Sequence, residues 1–359
     1  MQEALFQRQL TVLNVPKLLS EVNKMDDKET LLKRLRCEYI LEYLRENTDS
    51  EHCANSNTII EYLAENGIRC GRKTVYDSIT ALKLFGYEIL KGATSNDGYF
   101  LAERTFQSSE VRVMVDAVTS APFITEKKTR ELRDKLLKFM SRHQREQILA
   151  QLSPHERVKS QNEQIYYVID EINRAIASGR QVEFDYYKYE LENGKPNLKK
   201  QRHFAISPYA LVWANDKYYL VGNYDKYDNL SNYRLDKMKM ISITEQAARP
   251  YSDICGEDSV FDTTEYVKKN IMMYNGEETE MELICDYGLL DVMVDKFGVD
   301  AVTVDELGEK FSLRTTVFYS AGLIDWLFQY CDRIKILSPQ RLKDRIREKA
   351  ESTMKLIAE

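Results

Sequence analysis

At Gly179 the hydrophobic period of this chain changes, and that change constrains the fold more than any other feature. Before it, NEQIYYVIDEINRAIASG reads as an amphipathic helix ending on a glycine. After it, RQVEFDYYKYE alternates Val182, Phe184 and Tyr186 with Glu183, Asp185 and Tyr187, the two-residue period of a half-buried strand. Helical stripes dominate upstream and short strands follow downstream, so the expected class is an α+β multidomain protein. A length of 359 residues suits two or three domains, each able to bury a core.

Composition narrows the classes further. The chain is 43% apolar with 13 Phe, 23 Tyr and 2 Trp, which excludes a disordered protein. No apolar run approaches the roughly 20 residues of a membrane helix. The start MQEALFQRQLTVLNVPKLL lacks the basic stretch, apolar core and cleavage site of a signal peptide. A soluble cytoplasmic protein without membrane contact is expected. Cys37, Cys53, Cys70, Cys255, Cys285 and Cys331 include no short-spaced pair, and His52, His143, His155 and His203 show no metal-ligand spacing. Neither zinc, nor a disulfide framework, nor any other cofactor is expected. A formal net charge of -6 argues against nucleic acid for the chain as a whole, but local charge on one face decides such binding.

Residues 1–27 read as a polar arm interrupted by Pro16. From Lys28, one helix carries Leu31, Leu32, Leu35, Tyr39, Ile40, Tyr43 and Leu44 on one stripe, and a second spans about Asn57 to Asn66. In CGRKTVYDSITALKLFG, Val75, Ile79, Leu82 and one of Leu84 or Phe85 supply the buried stripe of a third helix ending at Gly86. Two short strands, YEILKG and DGYFLAE, flank a turn at 93–96. Helix, helix, turn, helix, hairpin is the order of a winged helix-turn-helix, assigned to residues 28–104, whose third helix would enter the DNA major groove. Arg69, Arg72, Lys73, Thr74 and Tyr76 are the candidate DNA contacts. Between Ile68 and Lys83 four cations face one acid, although a solvated basic face would look the same. The run GIRCGRKTVYDSITALKLFGYEI resembles bacterial transcription factors with a basic recognition helix that ends in glycine before the wing. That resemblance implies double-stranded DNA as partner.

Residues 105–160 read as a helical linker, with Leu132, Leu136, Leu137, Phe139 and Ile148 on its apolar side. Between 126 and 146 eight Lys or Arg meet four Asp or Glu, a face for DNA backbone or for solvent.

Residues 161–248 hold one helix and then several short strands. A third strand, NYRLDKMKMISI, is expected after the polar loop KYDNLS. The pattern indicates a small curled antiparallel sheet, with an SH3-like or Sm-like barrel as the expected form. The segment ISPYALVWANDKYYLVGNYDKYDNLSNYRLDKMKMI resembles the WYL domain, a regulatory module of bacterial transcription factors. Its naming triplet stands here as Tyr218-Tyr219-Leu220, and the run Tyr233-Arg234-Leu235-Asp236 also matches. Tyr186, Arg202, His203, Tyr209, Tyr218 and Arg234 offer guanidinium forks and aromatic faces suited to phosphates and bases. The resemblance implies a ligand-sensing pocket for a nucleotide or single-stranded nucleic-acid effector, with Arg234 and Arg202 foremost. Read as structure alone, Tyr219 and Leu220 face the core, Asp236 merely holds Arg234, and His203 is an isolated strand histidine.

A short helix, TTEYVKKNIMMYNG, starts at a cap on Asp262 or Thr263 and closes at Gly276, after which the elements run βαββαβ and then a final helix. This is the ferredoxin-like order, assigned to residues 262–359 and resembling the carboxy-terminal extension common in WYL proteins. The acidic excess is concentrated in this tail, in residues such as Glu277, Glu278, Glu280 and Glu282. The resemblance also implies a homodimer, which fits two recognition helices on half-sites about 34 Å apart. The expected function is a DNA-binding transcriptional regulator whose WYL domain modulates operator binding. A nucleic-acid-binding assembly module without a small effector is the competing reading, and no enzymatic activity is expected because no nucleophile-base set or metal cluster is visible.

Overall fold

In the computed structural model, residues 25–93, 98–152, 159–256, 261–304 and 309–358 are described. Most of the 1–27 arm, all but the first residue of the turn expected at 93–96, the linker at Ser153-Pro154, and Leu307 and Gly308 of the turn expected at 307–309 lie outside the described residues. The chain divides into two compact units: Met1–Ser120 with Lys127–Arg157, and Ala121–Glu126 with Val158–Glu359.

The first unit opens with α1 (Met25–Arg34) and α2 (Arg36–Asn47). The sequence stripe predicted one helix here. The structure breaks it at Leu35, which sits at φ -81° and ψ 0°, so the apolar stripe continues through a bend. α3 (Ser56–Glu65) begins where the Asn55 side chain accepts hydrogen bonds from the backbone N–H groups of Asn57 and Thr58, the standard capping arrangement. α4 (Arg72–Phe85) ends at Gly86, whose φ of +113° lies in the region that favours glycine.

Ile40, Leu44, Ile59, Leu63, Val75, Ile79 and Leu82 form the core beneath these helices. Leu84 and Phe85 do not join it, being 85% and 70% exposed. The reason is periodic: after Val75, Ile79 and Leu82 the stripe next falls on Gly86, leaving both side chains off the buried line.

β1 (Ile89–Lys91) and β2 (Tyr99–Leu101) form the antiparallel hairpin. Tyr99 exchanges two 2.8 Å backbone hydrogen bonds with Ala54, which ties the hairpin to the start of α3. This approach requires Gly98: its φ is +87°, and a Cβ there would lie 2.2 Å from the Ala54 carbonyl oxygen.

The helices α5 (Ser108–Ser120), α6 (Glu126–Leu137) and α7 (Arg142–Gln151) share a small core of Val111, Val115, Leu137, Met140 and Ile148. α7 packs on α2. There the buried Asp49 carboxylate accepts a 2.5 Å hydrogen bond from Ser141, the cap residue of α7, and Arg145 pairs with Glu46.

In the second unit α8 (Ile165–Ser178) ends at Gly179, φ +62°, and packs on a five-stranded antiparallel sheet. Its strands are β3 (Arg180–Glu192), β4 (Lys195–Ala214), β5 (Lys217–Asn223), β6 (Leu230–Arg234) and β7 (Met238–Ala247), in the order β6-β5-β4-β3-β7. β4 serves both halves, pairing with β3 along its first part and β5 along its second. The stretch expected as one strand, NYRLDKMKMISI, is interrupted by a 3-10 turn at Leu235–Lys237. That turn carries the chain from one edge of the sheet to the other.

The sheet is curled. The Phe184 and Tyr233 rings, from β3 and β6, lie 5.5 Å apart. Among the described residues β6 and β7 share no ladder, so the barrel expected from the sequence is not closed.

A one-turn helix α9 (Ser252–Cys255) and the short α10 (Thr263–Lys269), capped by Asp262, lead to the final sheet. Its strands β8 (Glu277–Asp286), β9 (Val302–Val304), β10 (Lys310–Tyr319) and β11 (Ile334–Ser338) lie in the order β11-β8-β10-β9, all antiparallel. α11 (Leu290–Phe297) and α12 (Ala321–Phe328) form the crossovers, and α13 (Gln340–Ala358) packs through Leu342 and Ile346. The element order is the βαββαβ read from the sequence. Leu323 and Leu327 are buried in its core, with Trp326 packed against them. Among the described residues no helix is long and apolar enough to cross a membrane.

Candidate nucleic-acid interface and effector site

The first candidate surface follows from the way α4 is held. With Val75, Ile79 and Leu82 inward, helical geometry turns Arg72, Lys73, Tyr76 and Thr80 outward, and all four are exposed, as is Arg69 just before the helix. Thr74 is half-buried. Arg72 Nε donates to Asn57 Oδ1 at 3.0 Å, and the Tyr76 hydroxyl reaches Ser56 Oγ at 3.4 Å. The start of α3 therefore orients the start of α4. Two contributions were missed from the sequence. Tyr99 of the hairpin lies 6.3 Å from the Tyr76 ring, and its own ring faces the ammonium groups of Lys83 at 5.9 Å and Lys91 at 5.8 Å. Helix and hairpin thus join one cationic face with two tyrosines in it. Strand pairing is needed to bring Lys91 and Tyr99 to α4, and neither residue carries a local signal of that contact.

The second candidate surface lies on the five-stranded sheet. Phe184, Tyr186, Phe204 and Tyr233 form a continuous aromatic cluster, with centroid distances from 5.1 Å for Phe204–Tyr233 to 6.3 Å for Phe184–Tyr186. The Arg202 guanidinium closes one end: it stacks over Phe204 at 5.4 Å and Tyr224 at 5.2 Å and donates to the Tyr224 hydroxyl at 3.0 Å. At the other end the backbone N–H of Arg234 donates to the Tyr186 hydroxyl at 3.2 Å. The Arg234 side chain forms a two-point pair with Asp236, at 3.0 and 2.7 Å.

The electrostatics match this geometry. The Asp236 hydrogen bonds raise the Arg234 pKa against the cost of burial. Burial raises the Tyr186 phenol and pushes Tyr233 up to about 12. These hydroxyls act as neutral hydrogen-bonding groups at neutral pH. Guanidinium groups and aromatic rings arranged in this way have the chemistry to bind phosphate and base, the Arg234 fork being held on one edge by Asp236.

The other three expected pocket residues lie elsewhere. His203 points away from Arg202, because consecutive strand residues face opposite sides. Its Nδ1 pairs with Asp185 at 2.9 Å and its Nε2 lies 3.5 Å from Glu183. The Tyr209 hydroxyl donates to the Arg249 carbonyl at 2.8 Å, and burial pushes its pKa to about 12. Tyr218 stacks on Phe123 at 5.5 Å. The structure therefore groups Tyr186, Arg202 and Arg234 and separates them from His203, Tyr209 and Tyr218. Phe204 was legible in principle, since it lies two residues from Arg202 on the same strand face. Tyr224, beyond the end of β5, gave no such signal. Tyr219 and Leu220 are buried, at 8% and 0% exposure.

Among the described residues no group of three His, Cys, Asp or Glu could hold a metal ion. Ser141, Asp49 and His52 do line up, with His52 Nδ1 2.8 Å from Asp49. The carboxylate stands between hydroxyl and imidazole, so the imidazole cannot take the serine proton as a catalytic base would.

Comparison with known proteins finds the WYL domain at residues 167–243, which contain Arg202, Arg234 and the aromatic cluster. Among solved structures, a proteasome accessory factor B/C (PafBC) of Arthrobacter aurescens is similar at 16% identity and a TM-score of 0.27, over 87% of this chain and 47% of that one. The chain spans about half the length of that relative. No curated protein matches.

Proposed function

We propose that this protein is a DNA-binding transcriptional regulator in which a winged helix-turn-helix binds duplex DNA and the WYL domain binds a nucleotide or single-stranded nucleic-acid effector. The observation that carries the reading is the cationic face shared by α4 and the hairpin in a chain that also holds a WYL domain. Arg69, Arg72 and Lys73 sit at the amino-terminal end of α4, where a recognition helix meets base edges and phosphates. Lys83 extends the cationic face along α4, and Lys91 and Tyr99 of the hairpin add the wing.

Tyr186, Arg202 and Arg234, with Phe204 and Tyr224, are the effector residues of this reading. The curled sheet, its edges linked by a 3-10 turn, supports an open SH3-like or Sm-like form. The β11-β8-β10-β9 order supports a ferredoxin-like carboxy-terminal domain. Homodimerisation would place two α4 helices on paired half-sites, and effector binding would act by favouring one dimer arrangement over another. The reading includes a cytoplasmic location and no catalysis.

Two variants test it together. Arg72→Ala should weaken binding to an operator selected from genomic fragments by about 10- to 100-fold. Arg234→Ala should leave basal binding within about threefold, a loss below 1 kcal/mol, and abolish the change produced by the co-purifying effector. Loss of basal binding in Arg234→Ala, or none in Arg72→Ala, would overturn the assignment of the two surfaces.

A further inference from the structure

A cleft in the first unit, outside both surfaces described above, holds two histidines face to face. His52 follows α2 and His143 is in the first turn of α7, 91 positions further along. Their rings are 3.8 Å apart and within 9° of parallel. His52 Nδ1 is taken by Asp49. Among the described residues His52 Nε2 and both nitrogens of His143 have no hydrogen-bond partner. They line a cavity of about 680 Å³ together with Arg142, Asn47, Ser50 and Thr58.

We propose that this cleft binds a phosphate-class oxyanion and that binding is linked to proton uptake by the stacked pair. His52 Nδ1 already faces the Asp49 carboxylate, so its Nε2 is the edge turned to the cleft. Cationic rings stacked 3.8 Å apart repel each other, and an anion beside them offsets that repulsion. An oxyanion in the cleft accepts N–H donors from both imidazoliums and from Arg142, while Ser50, Thr58 and Asn47 offer neutral donors. Proton and anion therefore each favour the other's binding, by reciprocal linkage.

The surrounding charges allow this. Asp49 accepts hydrogen bonds from Ser141, His52 and two backbone N–H groups, which hold its carboxyl below the usual range although burial acts the other way. Glu46 is paired with Arg145, and Glu146 with Arg142. Arg104 donates to the Arg45 and Thr48 carbonyls beside Asp49. Tyr43 and Cys53 complete the ionisable lining, and Glu51 is its one further acid.

The phosphate could be a phosphodiester of bound DNA or a free anion, and the test separates them. Histidine NMR of the full chain would be followed from pH 8 to 5.5 at constant ionic strength, with and without sulfate, a dianion throughout that range. Sulfate should raise the midpoints of His52 and His143 by about half a unit or more, with His203 as internal reference. Its affinity should strengthen on acidification by up to about tenfold per pH unit for each proton taken up. His143→Phe keeps a ring stacked on His52 and should lose the response, as should Arg142→Ala in part. Midpoints indifferent to sulfate, or a full response in His143→Phe, would overturn the proposal. Duplex DNA assigns the source. Affinity that rises on acidification in the native chain but not in His143→Phe identifies a phosphodiester, and a flat DNA profile beside a sulfate response identifies a free anion.

Discussion

The cationic face of α4 and the aromatic cluster of the curled sheet both present arginines, but they hold them differently. Arg72 is exposed and rests on the neutral side chain of Asn57. Arg234 is gripped at two points by Asp236, and Arg202 lies across two aromatic rings. An exposed, loosely held cation suits a polyanion whose counterions are released on contact. A cation fixed before binding loses less freedom when it meets a defined ligand and can discriminate by shape. The difference lies in the supporting contacts, since the residue type is the same.

The comparison breaks most readily at the backbone that builds the first surface. Gly98→Ala forces a Cβ against the Ala54 carbonyl and should cost the first unit about 2–4 kcal/mol, read by denaturant unfolding and hydrogen exchange in β2. The matched control in the second unit, Gly194→Ala, meets open space at φ +74°. It should cost only about 1 kcal/mol, the conformational penalty without the clash.

Asp49→Asn comes next, at about 1–3 kcal/mol at pH 7, because it weakens the hydrogen bonds that anchor Ser141, the cap residue of α7, and seat His52. The folded-state pKa of Asp49 is lowered. Its contribution is therefore complete above the unfolded carboxylate range and is lost as pH falls through the folded value. Unfolding measured at pH 7 and again below pH 4 should show the difference between the native and Asp49→Asn chains shrinking in acid.

Tyr186→Phe leaves the Arg234 N–H without its acceptor and should destabilise the sheet by about 1 kcal/mol, with a larger loss in effector response than in basal DNA binding. A response unchanged in this variant would remove Tyr186 from the site. Lys91→Ala should have the smallest effect. Stability should be unchanged, and duplex affinity should fall severalfold with a salt slope shallower by about one. An unchanged slope would mean that the hairpin lysine does not reach phosphate.

Much of this architecture is legible along the chain. Gly86 and Gly179 end helices where the periodicity stops, and the βαββαβ order can be read directly. Errors arose where a short-range pattern was extended too far. The stripe from Leu31 to Leu44 crosses a bend at Leu35, and NYRLDKMKMISI crosses a 3-10 turn. Placing His203 with Arg202 overlooked the alternation of strand faces, which the sequence itself contains. Leu84 and Phe85 fell outside a stripe whose next position is Gly86.

Periodicity, capping residues and glycines determined the type and order of the elements, because each acts over a few residues. Tertiary structure decided which distant side chains meet. It set Tyr99 beside Tyr76, Arg234 against Tyr186, and His143 on His52. Those contacts depend on strand register, sheet curl and helix packing, and such long-range geometry leaves no periodic trace in the chain. The net charge of -6 is a property of the sequence alone. Folding sorted that charge into the surfaces on which the proposed functions rest.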